Sequence, residues 1–108
     1  MIHFLFLVLS LSASAHVFEL DGRYLKVEET CFFDLRDDSA SLTQMKIKLP
    51  CSTEFRPQLK YKLQIDVGTK ANGCQSKVVK SLGLLPPIAS IPQYTDERLI
   101  KALQECRP

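Results

Sequence analysis

The stretch "LKYKLQIDV", residues 59–67, sets Leu59, Tyr61, Leu63, Ile65 and Val67 against Lys60, Lys62, Gln64 and Asp66 in unbroken alternation. Side chains of a strand point to opposite faces in turn, so this pattern predicts a β-strand with one buried and one solvated face. Such a strand belongs to an antiparallel sheet covered on one side only. Gly68 follows and closes it. The four polar residues, Lys60 included, are expected in water.

Working outward toward the N-terminus, "MKIKL" (45–49) alternates in the same way, with Met45, Ile47 and Leu49 facing inward and Lys46 and Lys48 outward. "TCFFDL" (30–35) puts Cys31, Phe33 and Leu35 on one face. If Leu35 lies opposite Met45 across a polar loop at 36–41, then Phe33 lies opposite Ile47 and Cys31 opposite Leu49. Cys51 is one same-face step beyond Leu49, so a Cys31–Cys51 bridge is favoured and Cys74–Cys106 follows by elimination. Four cysteines permit three pairings, and spacing alone leaves all three open. Further upstream, "VFELDGRYLKVEE" (17–29) holds Asp21-Gly22 between two alternating runs. That dipeptide favours a tight hairpin turn, which predicts paired strands at 17–20 and 23–28.

Toward the C-terminus, "GTKANGC" (68–74) reads as a loop with a turn at Asn72-Gly73, and "SKVVKSLGLL" (76–85) leans to strand over helix. Pro86, Pro87 and Pro92 exclude regular structure from 86–92, because proline lacks a backbone donor and biases the residue before it to extended geometry. The last element is an amphipathic helix. Thr95 serves as N-cap, Asp96 and Glu97 complement the dipole of the first turn, and Leu99, Leu103 and Cys106 share one face. The expected fold is therefore α+β: a small disulfide-stabilised antiparallel sheet of four or five short strands with a C-terminal amphipathic helix.

The N-terminus has its own logic. "MIHFLFLVLSLSASA" (1–15) has an apolar run from Phe4 to Leu9 ahead of Ala13-Ser14-Ala15, the pattern of a secretory signal peptide cleaved after Ala15. The apolar run is too short for a membrane span, and no later segment could serve as one. Residues 16–108 then form a single secreted domain, small enough that its core needs a staple. Cys31, Cys51, Cys74 and Cys106, an even set in an exported chain, are expected as two disulfides. Consecutive cysteines lie at least 20 positions apart, without the close pairs that pre-organise zinc. No metal and no cofactor is expected.

Fourteen basic and twelve acidic residues give a net charge of +2, which does not fit a nucleic-acid binder. Downstream of the signal segment the only histidine is His16, so serine or cysteine nucleophiles lack their usual base and a copper brace lacks its second imidazole. The adjacent carboxylates Glu28-Glu29 and Asp37-Asp38 are not placed as an acid and base across a cleft. The chain is not expected to be an enzyme. Asn72-Gly73-Cys74 is formally a weak glycan acceptor, and a turn is the better interpretation.

Recognition is the role that remains. The segment Pro86, Pro87, Ile88, Ala89, Ser90, Ile91 and Pro92 is the candidate binding loop, since prolines lower the ordering cost of contact. The expectation is a secreted effector or toxin-like modulator, of the kind found in venom, saliva or glandular fluid, acting extracellularly on a protein target. A protease inhibitor using loop 86–92 and a carrier of a small apolar ligand held between sheet and helix are the alternatives. Gln64, Val67 and Gly68 stand in the order of the Gln-x-Val-x-Gly wedge of cystatins, but with different spacing and without the tryptophan hairpin of that family. They are assigned to the strand instead.

Overall fold

A computed structural model describes residues 16–37 and 45–107. Residues 1–15, on which the expected signal peptide falls, residues 38–44 of the loop after Leu35, and Pro108 lie outside the described residues. Among the described residues there are five strands: β1 (Val17–Val27), β2 (Thr30–Asp34), β3 (Lys46–Leu49), β4 (Lys60–Asp66) and β5 (Lys77–Leu84). A 3-10 turn, Lys70–Asn72, precedes β5, and helix α1 (Glu97–Glu105) follows it. All strands form one antiparallel sheet in the order β3-β2-β1-β4-β5.

The alternation that marks β4 does what it should. Tyr61, Leu63, Ile65 and Val67 are buried and join Leu20, Tyr24, Phe33, Leu35, Ile47, Leu49, Leu99 and Ala102 in one core. The β2–β3 register is the expected one: Cys31 opposite Leu49 and Phe33 opposite Ile47, with the Leu35 N–H donating to Met45 O at 2.9 Å. Both expected disulfides are present, Cys31–Cys51 with Cα atoms 5.2 Å apart and Cys74–Cys106 at 5.4 Å.

The N-terminal hairpin is not where the sequence puts it. β1 runs straight through Asp21-Gly22, and the turn falls at Glu28-Glu29, between Val27 and its partner Thr30. Glu28 takes the left-handed conformation there, φ 56°. Gly22 serves close packing instead of a turn: a Cβ at this position would lie 2.7 Å from Asp34 O and 2.8 Å from the Phe33 ring. Local turn chemistry was outcompeted by a long strand that pairs with β4 along its first part and with β2 along its second. At the helix, the cap is Asp96 and not Thr95. The Asp96 carboxylate accepts the Arg98 N–H at 2.9 Å and also ion-pairs with the Arg98 guanidinium, which holds its carboxyl below the usual range.

A cleft of about 720 Å³ is lined by Lys48–Cys51 at the end of β3 and by Cys74–Lys77 at the start of β5. Glu29, Thr30, Cys31 and Asp66 line the same cleft, and both edge strands contribute to its wall. Within residues 51–58 only Phe55 is buried, and through it the segment packs on the core. Phe55 packs between Tyr24 and Tyr61, at ring separations of 5.4 and 5.1 Å. The two tyrosine hydroxyls accept the backbone N–H groups of Ser52 and Arg56. Both buried phenols are thereby satisfied.

Candidate binding surface

β5 is an edge strand, and its pairing with β4 slips twice. Val79 is extra between Val78 and Lys80, and Leu82 between Ser81 and Gly83. An extra residue in one strand of a pair breaks the alternation and re-aims side chains. Val78 still packs against the core, whereas Val79, Leu82 and Leu84 are exposed. Ile88, beyond the strand, is 93% exposed. Among the described residues five large apolar side chains are exposed, and four of them lie between Val79 and Ile88.

The loop after β5 is held in place. The Ala89 N–H donates to Pro86 O at 3.0 Å, closing a turn with Pro87 and Ile88 at its two central positions. Pro87 supplies the φ that the first central position needs. Below the turn lies Lys60. Its ammonium donates to Pro87 O at 3.1 Å and Ala89 O at 2.6 Å, and pairs with Asp37 at 3.4 Å. The other Asp37 oxygen accepts the Ile91 N–H at 2.7 Å, and Ile91 is buried. The Leu85 N–H donates to Lys60 O. Ile88 thus projects from a segment tied down on both sides. Farther along, the Tyr94 hydroxyl accepts the Asp21 N–H and donates to Asp21 O, which fastens the run toward α1 to β1 where β2 has already ended.

The seven residues nominated from sequence therefore divide. Pro86, Pro87, Ile88, Ser90 and Pro92 are exposed and Ala89 is half-buried, while Ile91 is buried and anchors the segment. Lys60 needs the opposite correction. Alternation assigns it to water, yet it is buried, because the proline segment returns over it and supplies carbonyl partners. No local pattern signals that return. Val79, Leu82 and Leu84 lie outside the segment that the prolines mark, although the doubled valine and the run "LGLL" already break the period of two.

Other candidates resolve into structure. Gln64 lies within β4, a central strand paired on both sides, Val67 directly follows that strand, and Gly68 is buried with its N–H donating to Ser76 Oγ. The Asn72 side chain is occupied in shaping its own loop, accepting from Thr69 and Gln75 and donating to Gln75 O, while Gly73 at φ 73° ends the turn. Asp34 is buried in a row with Lys46 and Arg23. Burial pushes its carboxyl up, opposed by the Arg36 N–H and by the charges of Lys46, Arg23 and Arg36. The cleft between β3 and β5 and a smaller one of about 230 Å³ near Tyr24 and Phe55 take no lining residue from α1. Among the described residues no helix is long and apolar enough to cross a membrane. No protein-family model, curated protein or solved structure matches the chain.

Proposed function

We propose that the chain is a secreted, disulfide-stabilised binding protein that acts outside the cell on a protein target, without catalysing a reaction, and that β5 and loop 85–91 form its contact surface. The concentration of exposed apolar side chains between Val79 and Ile88 carries this assignment, since a cluster of such groups is the usual mark of an interaction site. The clamp at Lys60 supports it. A loop fixed before contact loses less entropy on binding. Its closed turn at Pro87-Ile88 suits insertion of one apolar knob into a pocket better than the extended lie of a substrate in a protease cleft.

The test is affinity capture from extracellular fluids of the secreting organism, read by quantitative mass spectrometry. Wild-type protein is expected to retain a partner that Ile88→Asp and Leu84→Asp lose, while Lys26→Ala, an exposed position on β1, retains it. Loss of a central apolar anchor is worth about 2 kcal/mol, roughly 30-fold in Kd. A specific partner held equally by both aspartate variants would place the contact elsewhere.

A further inference from the structure

The surface just described has a charge as well as an apolar character. Between Asp66 and Asp96 the chain holds no aspartate or glutamate, and it carries Lys70, Lys77 and Lys80. That stretch alone contributes +3 against a whole-chain charge of +2, so the rest sums to −1. Lys77 and Lys80 are exposed on β5, either side of Val79. Among the described residues neither takes part in a salt bridge, although Asp66 stands opposite Lys77 in register. Lys80 is opposite the neutral Gln64. By contrast, Lys60 and Lys62 on β4 are paired with Asp37 and Asp21.

From this we infer that the partner presents an apolar pocket for Ile88 and, farther along its contact with β5, carboxylates that meet Lys80 and Lys77. The inference rests on β5 and loop 85–91 being the contact surface. Rim charges of opposite sign speed encounter and fix orientation, and like charges reject wrong partners, so lysines here select an acidic protein surface. An anionic membrane would also attract lysines beside apolar groups. It favours several apolar side chains sunk to one depth. Here the apolar side chains are unevenly exposed, Ile88 to 93% at the tip but Leu84, Val79 and Leu82 to 62%, 51% and 37%, and the loop is clamped in the manner that serves a shaped pocket.

The probe is a random peptide library displayed on phage, selected on the folded protein and counter-selected on Ile88→Asp. Recovered peptides are expected to combine an apolar residue with Asp or Glu. Lys77→Glu/Lys80→Glu is expected to weaken them by about tenfold or more, and Lys77→Gln/Lys80→Gln by less, with circular dichroism confirming the fold of each variant. Ile88-dependent peptides that lack acidic residues and ignore both lysine variants would overturn the acidic contact and leave the surface assignment standing. Failure to recover any Ile88-dependent peptide would overturn the surface itself. Binding to vesicles of phosphatidylcholine with phosphatidylserine, absent with phosphatidylcholine alone and lost in Ile88→Asp, would overturn the protein pocket in favour of a membrane.

Discussion

Lys60 illustrates how much one side chain can decide at the scale of a residue. Its stem rises from a central strand, and its ammonium gathers two loop carbonyls and a carboxylate. Lys60→Met keeps the length of the stem and removes the donors, leaving Pro87 O and Ala89 O to find other partners. Stability is expected to fall by about 1–3 kcal/mol, measured by urea unfolding. Amide exchange at Ala89 and Ile91 is expected to rise by more than the global loss accounts for; equal changes there and in the core would mean that Lys60 does not hold the loop. Alternation could see only that Lys60 and Tyr61 point apart. It is blind to a segment that arrives from more than twenty positions away, which is why the polar side of β4 was legible as polar but not as covered. Gly22 makes the same point in reverse: its turn propensity is local, and the Phe33 ring that needs its missing Cβ comes from another strand.

At the scale of elements, α1 depends on its anchors. A helix of nine residues is marginal by itself. It is held by the Asp96 cap, by burial of Leu99 and Ala102, by Arg98 stacked 5.4 Å over the Phe18 ring, and by Cys106 bonded to Cys74. Cys74→Ala/Cys106→Ala frees a loop of 32 residues in the unfolded chain, an expected loss of about 3–4 kcal/mol in urea unfolding. The pinned end should also fray, lowering the helical signal in far-UV circular dichroism. The Cys31–Cys51 bridge closes a loop of 20 residues and costs nearly as much by the same model, but its removal is expected to leave that helical signal in place. A helical signal unchanged in the first variant would show that packing alone holds α1. These elements were readable because each is amphipathic over several residues and because register carried Cys31 to Cys51. The doubled slip of β5 is legible only as a lost period at the doubled valine and "LGLL", since a bulge erases the alternation by which a strand is recognised.

The whole molecule must keep two sheet edges from pairing with other chains, because β3 and β5 end the sheet and line one cleft without pairing with each other. The two edges are protected by different means. β5 carries two bulges, which distort the ladder a second strand would need. β3 is in regular register over four residues and has no bulge; its protection is its shortness, Lys46 and Lys48, and Pro50 just beyond its end. Charge is the more easily removed of these devices. The wild-type protein is expected to be monomeric by size exclusion with light scattering. Lys48→Val, a change at an exposed position away from the core, should add β propensity to an edge that has lost half its charge and yield concentration-dependent oligomers. Lys80→Val on β5 should remain monomeric, because the bulges still stand. Oligomers from Lys80→Val but not from Lys48→Val would reverse the assignment and make β5 the sticky edge. Its exposed valine and leucines would then serve self-association and not a foreign partner, so the solution state of these two variants bears directly on what the surface between Val79 and Ile88 is for.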